Sequence, residues 1–398
     1  MAELEKVRYQ VNRCFRCNIC RNKYIYDEKI FRVCPAGEHS AGFWTNFPSG
    51  KIATVWEILE GRLTLSDLSG APVKAIFECT LCANCREKCG ATDLSTFKPL
   101  IDQPTIIKAL RADIFAAGVE VPEGVVNMGE GIEKVYNVFG APIEERADWL
   151  TPEIKVATDA DTVFYPGCLA AYRNPEIAQA TARILNKLGI EFSILGEEEH
   201  CCGDPLIMTG QLSLAREVAK YNWECLKDKR VINSCAGCYR CFEDEYPKLL
   251  GEEYKLDAYH IIEILVELIE DGNLKFNGKK GNTKEKITYH DPCELGRELK
   301  MYDEPRIIIQ NIPGIELVEM ERNRENTWCC GGGGGLKGVN YDMAVEIGTD
   351  KVKEALATGA KTIVSACPSC KTNINDAIKA TGADLKAIDI TELVAEAL

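Results

Sequence analysis

The chain has 398 residues, 46% of them apolar, enough to bury the cores of two or three domains. Its formal charge of −14 argues against nucleic acid as a partner, and with no basic cluster standing out it also argues against direct docking to anionic lipid. Twenty cysteines without a charged-then-apolar leader point away from a secreted disulfide framework, and the expectation is a soluble, cytoplasmic, oxygen-sensitive metalloprotein.

The first hundred residues hold eight of these cysteines. They read Cys14-Phe-Arg-Cys17-Asn-Ile-Cys20, then Cys34-Pro35 after 13 residues, and later Cys79, Cys82, Cys85 and Cys89. The second run has the C-x2-C-x2-C-x3-C spacing of a bacterial ferredoxin; the first has the same triplet with its fourth cysteine displaced. In two-cluster ferredoxins the fourth cysteine of each run ligates the other cluster. The expected sets are therefore Cys14, Cys17, Cys20 and Cys89 for one [4Fe-4S] cluster, and Cys79, Cys82, Cys85 and Cys34 for the other. Arg13, Arg16, Arg21 and Lys23 flank the first triplet, where cations offset the negative charge of a thiolate-ligated cluster and raise its potential. Zinc ribbons, the competing reading, use paired CxxC knuckles rather than triplets. Helical spacing of Ile52, Val55, Trp56 and Leu59 predicts a helix over Ser49 to Arg62, with Trp56 as core, and another runs from Pro104 through Ile106, Ile107, Leu110 and Ile114 to Gly118. Residues 1–117 thus read as a helical ferredoxin domain with its clusters on loops. The Gly- and Pro-rich stretch 118–160 reads as a linker or wrapping arm with a short helix in its middle.

From Thr162 the chain repeats itself at a period of 125 to 132 residues. The first copy is Cys168, Cys201-Cys202-Gly203 and Cys235-Ala-Gly-Cys238; the second is Cys293, Cys329-Cys330-Gly331 and Cys367-Pro-Ser-Cys370. The intervals are 32 and 32 residues in the first copy, 35 and 36 in the second. Five thiolates exceed what one tetrahedral zinc can use, and adjacent cysteines point apart, so each copy reads as one multinuclear iron–sulfur site. Other segments match too: Val163 to Cys168 with Ile287 to Cys293, Gly189-Ile190-Glu191 with Gly314-Ile315-Glu316, Val231 to Cys235 with Thr362 to Cys367, and Leu256 to Glu263 with Leu385 to Glu392. Short β-branched runs alternate with amphipathic helices such as Ile177 to Leu188 and Met343 to Leu356, which predicts two tandem α/β units with parallel sheets, residues 161–280 and 281–398. Ligands of open α/β sheets sit at the carboxyl ends of strands, where these cysteines fall, so two units facing each other set two clusters across one cleft. The most apolar run, Ile261 to Ile269, carries Glu263 and Glu267, so no direct membrane insertion is expected.

Several single residues carry two readings. Gly333, Gly335 and Gly338 match G-x-G-x-x-G, but they follow Trp328-Cys329-Cys330 rather than a strand, and Gly338 after Lys337 excludes a P-loop. The glycines more naturally bring backbone N–H groups to cluster sulfur, and no flavin or nicotinamide site is expected on this chain. His200 abuts the first cysteine pair opposite Trp328 in the second copy, which favours hydrogen bonding to sulfur or packing over ligation; His290 is equally open. Cys225 and Cys241 read as spectators, and Arg240, Arg297 and Lys337 as surface charges or anion-binding groups.

The doubled motif, with Cys235-Ala-Gly-Cys238-Tyr-Arg and Trp328-Cys-Cys-Gly-Gly-Gly-Gly-Gly335, resembles the D subunit of heterodisulfide reductase, a fusion of a ferredoxin module with two CCG modules. The resemblance implies a noncubane [4Fe-4S] cluster on Cys168, Cys201, Cys202, Cys235 and Cys238, and another on Cys293, Cys329, Cys330, Cys367 and Cys370. It also implies two cubane clusters in the ferredoxin part, and a small disulfide split between the noncubane pair. A heterodisulfide of the coenzyme M–coenzyme B type is the expected substrate, with a flavin-containing or cytochrome b-type redox partner and any membrane association supplied by that partner. Two departures stand out: the 32-residue gap after Cys202 is shorter than the family's usual one, and the 13-residue gap before Cys34 is longer than a compact ferredoxin run. The latter resembles D-subunit homologues in electron-transferring flavoprotein, quinone-linked and benzoyl-CoA reductase complexes, which implies an electron relay as the second function. Structural zinc at one CCG motif is the third.

Overall fold

The computed structural model describes residues 1–24, 30–277 and 284–398, with backbone alone at 23, 24 and 30. The side chain of Lys23 and the boundary between residues 280 and 281 lie outside the described part.

The N-terminal part is built from helices Ala2–Asn12, Pro48–Leu59, Ala71–Phe77 and Gln103–Ala116. Pro48 and Pro104 stand in first turns, where a missing N–H costs nothing, and the Asp102 carboxylate accepts from Thr105 N at 3.2 Å. Leu4, Val7, Val11, Ile52, Val55, Ile58, Ile106, Leu110 and Ile114 pack into one core, which includes Ile52, Val55, Ile106, Leu110 and Ile114 as their helical spacing predicts, while Ile107 packs with Cys79, Leu81 and Met208. Trp56 lies at its edge, half-buried between the guanidinium groups of Arg16 and Arg62. The unit is not wholly helical: β1 (Asn22–Tyr24) and β2 (Ile30–Arg32) form an antiparallel pair before Cys34.

The two cysteine triplets turn alike. Arg16 and Asn18 flank Cys17 with φ of 54° and 64°, and Leu81 and Ala83 flank Cys82 with φ of 54° and 62°. Each left-handed non-glycine residue costs about 1 kcal/mol or more, and the cost is met where the loop must curl its thiols toward one point.

Residues 118–160 are more ordered than a linker. Helix Glu123–Val135 packs on short helices Asp204–Thr209 and Leu336–Val339, one from each half of the remaining chain, and a 3-10 turn follows at Ile143–Ala147.

The rest forms two parallel sheets. The first has β3 (Thr162–Tyr165), β4 (Arg230–Asn233) and β5 (Asp257–His260) in the order β3-β4-β5. The second has β6 (Glu285–Tyr289), β7 (Ile315–Leu317), β8 (Thr362–Ser365) and β9 (Lys386–Asp389) in the order β7-β6-β8-β9. The counterpart of β7 in the first sheet shrinks to a single parallel bridge between Val163 and Ser193. Helices Pro175–Lys187 and Tyr341–Ala357 fall where periodicity predicts them. Helix Ile390–Ala397 of the second half packs on Pro175–Lys187 of the first, and Ile261–Glu270 packs on Glu304–Asn311, so one apolar core runs through both. Cys168, Cys235, Cys293 and Cys367 follow the carboxyl ends of β3, β4, β6 and β8. Among the described residues no helix is long and apolar enough to cross a membrane.

Candidate iron–sulfur sites

Cys14, Cys17, Cys20 and Cys89 line one cavity of about 370 Å³, roofed by Phe15, Ile19 and Ile52. Cys34, Cys79, Cys82 and Cys85 line a second, smaller and more enclosed one. The crosswise grouping of the two runs expected from the spacing is thus the spatial one. Burial pushes the Cys20 thiol up to about 11 and raises Cys34 and Cys85 as well. Thiols so buried stay neutral unless a cationic centre holds them as thiolates, so on their own they are not reactive cysteines. The cations named beside the first triplet stack on rings: Arg13 on Tyr9, Arg16 on Trp56 and Arg21 on Phe47.

A cavity of about 370 Å³ lies where the two halves meet. Nine of the ten CCG cysteines line it: Cys168, Cys201, Cys202, Cys235, Cys238, Cys293, Cys330, Cys367 and Cys370. Its other walls are mostly apolar, with Met128, Val138, Phe139, Leu169, Pro205 and Met208 on one side and Gly332–Gly335 on another. The tenth thiol, Cys329, lies outside this lining and packs against Cys82 of the ferredoxin part. The two thiols of each pair interact with each other, against the expectation that adjacent cysteines point apart, and each also reaches a further thiol. Cys330 lies 3.3 Å from Cys370 while Cys329 faces Cys82; Cys202 pairs with Cys238 while Cys201 pairs with Cys168.

The surroundings suit a sulfur-rich group. Gly331 N and Gly332 N donate to Cys329 Sγ and Cys330 Sγ at 3.3 and 3.4 Å, a small nest of the kind expected from the glycine run. Gly167, at φ 75°, has no Cβ because one would stand 2.8 Å from Cys238 Sγ, inside the first site. Gly334 lets the glycine loop touch the ferredoxin part, where a Cβ would fall 2.6 Å from the Cys79 carbonyl. His290 is buried with both ring nitrogens unpartnered, and a ring nitrogen lies within 4.8 Å of the Cys330 and Cys370 sulfurs. Soft thiols in groups of four and five, backbone donors and an orphaned imidazole together fit iron–sulfur clusters better than a mononuclear ion.

Other sequence candidates resolve differently. His200 is sandwiched between Tyr136 and Tyr221 at 3.8 and 3.7 Å, the packing role of its two expected ones, and burial lowers it to about 4. The Cys241 thiol donates to the Cys202 carbonyl at 3.2 Å, and Cys225 lies half-buried on helix Leu212–Leu226. Neither Arg240 nor Arg297 is a surface charge. Arg240 is buried among Asp204 (2.7 Å), Glu245 (2.5 Å) and Glu294, and Arg297 donates to the Cys82 carbonyl at 2.8 Å and to that of Thr327. Lys337 alone of the three lines the cavity, paired with Asp376.

Two arginines belong to no cysteine motif, and sequence reasoning missed both. Arg111, fully buried, donates to the carbonyls of Ile76, Phe77, Cys79, Met208 and Gly334 at 2.7 to 3.2 Å, tying the second triplet to both halves. Its signal was an arginine on the apolar face of its own helix, four residues after Ile107. Arg146, from the segment read as a linker, donates to Cys168 Sγ at 3.3 Å and pairs with buried Glu199. Nothing in its sequence surroundings marks it.

A dicluster ferredoxin segment joined to a doubled cysteine-rich α/β unit defines an iron–sulfur oxidoreductase. The 4Fe-4S dicluster domain family matches residues 10–92, and the CCG family, the Cysteine-rich domain, matches residues 162–243 and 287–375. The D subunit of the dihydromethanophenazine:CoB--CoM heterodisulfide reductase of Methanosarcina mazei is 40% identical over 327 residues, covering 80% of this chain and 77% of that one. The chain belongs to the D-subunit family of heterodisulfide reductase. Its relatives also include the B subunit of the CoM/CoB fumarate reductase of Methanothermobacter marburgensis, 30% identical over 82% of this chain and 62% of that one. The EtfAB:quinone oxidoreductase of Syntrophomonas wolfei is 31% identical over 84% of this chain, which spans 48% of that relative.

Proposed function

We propose that this chain reduces a small disulfide in the cavity between its two CCG repeats. In this reading residues 1–117 hold two cubane [4Fe-4S] clusters, one on Cys14, Cys17, Cys20 and Cys89, the other on Cys34, Cys79, Cys82 and Cys85. Residues 161–280 and 281–398 each hold a noncubane cluster on their five cysteines, and 118–160 closes over the cavity. Clusters so placed supply one-electron chemistry at sulfur. A disulfide takes up two electrons and two protons to give two thiols, the electrons coming from a flavin-containing or cytochrome b-type partner.

The observation that carries this reading is the convergence of nine cysteines from both repeats on one apolar cavity. Its own residues do the binding. Met128, Val138, Phe139 and Leu169 exclude water and seat an aliphatic arm, and the Lys337 ammonium, which must exchange its pairing with Asp376, is the cation that would meet an anionic end. A heterodisulfide of the coenzyme M–coenzyme B type meets both demands. The test is oxidation of reduced viologen on adding that disulfide to anaerobically purified protein. Turnover, with a new paramagnetic signal when either thiol is added to the oxidised protein, supports the proposal; neither effect, with full iron content, removes it.

A second reading, an electron relay inside a larger complex, draws on the contact between Cys82 and Cys329, which makes the ferredoxin part and the second repeat continuous. Copurification with flavoprotein partners, together with clusters that reduce but ignore thiols, selects the relay.

A further inference from the structure

The first ligand of each repeat meets an opposite neighbour. Cys168 Sγ receives a hydrogen bond from Arg146 Nη1 at 3.3 Å, whereas Cys293 Sγ faces Glu294 Oε1 at 3.9 Å. Arg146 is 1% exposed, held by Glu199 on one side and the Tyr172 ring at 5.4 Å on the other, with its Nε unpartnered. Glu199 is itself fixed, accepting from Gly167 N at 3.0 Å, so the guanidinium cannot swing away. A cationic donor on a ligand sulfur withdraws charge and stabilises the state that carries an extra electron, strongly so away from water. The carboxyl group beside the equivalent sulfur offers no such donor, its other oxygen being paired with Arg240.

We propose that Arg146 is a positioning residue that tunes the first CCG site, making the cluster held there the more easily reduced of the two. The inference rests on the proposed function, in which each repeat holds a cluster. It gives the cavity a direction. The second repeat touches the ferredoxin part through Cys329 and Cys82, so single electrons arrive there and settle at the first repeat, beyond the disulfide. The segment 118–160 is then part of the redox machinery, since it delivers the guanidinium that reaches the first ligand sulfur of that repeat.

The test is a redox titration of the full-length holoprotein followed by electron paramagnetic resonance, with the signal of the first repeat assigned by its loss in Cys202→Ser. Arg146→Gln is expected to make that signal harder to reduce, by tenfold or more in the reduced-to-oxidised ratio at fixed potential, 59 mV for a one-electron couple. Glu199→Gln leaves the guanidinium without its counter-charge and is expected to shift the signal the opposite way. Arg146→Lys restores part of the wild-type value. The second repeat's signal stays put in all three. Shifts of one sign in both Arg146→Gln and Glu199→Gln mark mere structural damage and overturn the inference, as does no shift with full iron content. Iron missing from the first repeat of the wild-type protein overturns the underlying cluster reading, and the inference with it.

Discussion

The two CCG repeats present one cysteine pattern and complete it with different company. In the first, the thiols close among themselves, Cys201 with Cys168 and Cys202 with Cys238. In the second, Cys330 lies against Cys370, Cys329 also reaches Cys82 of the ferredoxin part, and Cys293 stands beside a carboxyl group. Even the caps of the closing helices differ: His260 Nδ1 accepts from Ile262 N in the first repeat, and the Asp389 carboxylate accepts from Thr391 N in the second. The duplicated residues are those expected to touch the cofactor. The residues that set them apart come from outside the repeat, from Glu294 within it, or from positions where either of two side chains satisfies the same backbone.

The largest expected effect breaks the pair at its ligands. Cys202→Ser and Cys330→Ser should each remove the iron of one repeat only, about four of about 16 atoms per chain, in anaerobic iron and sulfide quantitation. Loss of all the iron from either variant would mean that the repeats are one cooperative site.

Next in size is Arg111, which is common to both halves. Arg111→Ala strands five buried carbonyls spread over the ferredoxin part and both repeats, and should cost on the order of 3–5 kcal/mol in anaerobic urea denaturation. A loss below about 1 kcal/mol would show that water or neighbouring donors replace the guanidinium.

The smallest effect separates the caps by pH. Burial lowers His260 from 6.5 to about 3, so between these values the unfolded chain binds more protons and this group makes stability rise with pH. Burial raises Asp389 from 3.8 to about 7, so here the native state binds more protons and stability falls as pH rises through that window. The two slopes oppose each other in the wild-type protein. Relative to the wild type, His260→Asn should make the slope more falling and Asp389→Asn more rising, each by at most about 1.4 kcal/mol per pH unit. Changes of the same sign in both variants, measured by denaturation at several pH values between about 4.5 and 6.5, would contradict the assignment.

Much of this was legible in residue order. Cysteine spacing grouped Cys89 with the first triplet and Cys34 with the second, and the periodicity of Ile177 to Leu188 and of Met343 to Leu356 placed two long helices within a residue or two. These are signals that ligand number and burial imprint on spacing. What stayed hidden depends on distance in space. Arg146 acts across 22 residues of sequence and through a short 3-10 turn with no apolar pattern. His200 was read by its neighbour in the chain, Cys201, yet its surroundings are two tyrosines 64 residues before and 21 after it. Arg240 looked like a free charge because its counter-ions Asp204 and Glu294 lie 36 residues before it and 54 after. The stretch 118–160 reads as a linker or wrapping arm with a short helix, but the tight packing of that helix is not legible: its Gly124 and Gly129 sit against Gly338 and Gln211, where a Cβ would collide.

Iron, zinc and acid-labile sulfide, counted per chain in anaerobically purified wild-type protein, test most directly whether both repeats hold clusters as the ferredoxin part does. The account predicts about 16 iron atoms, a similar amount of sulfide and no zinc. About eight iron atoms, with zinc or disulfides taking up the thiols of the two repeats, would contradict it.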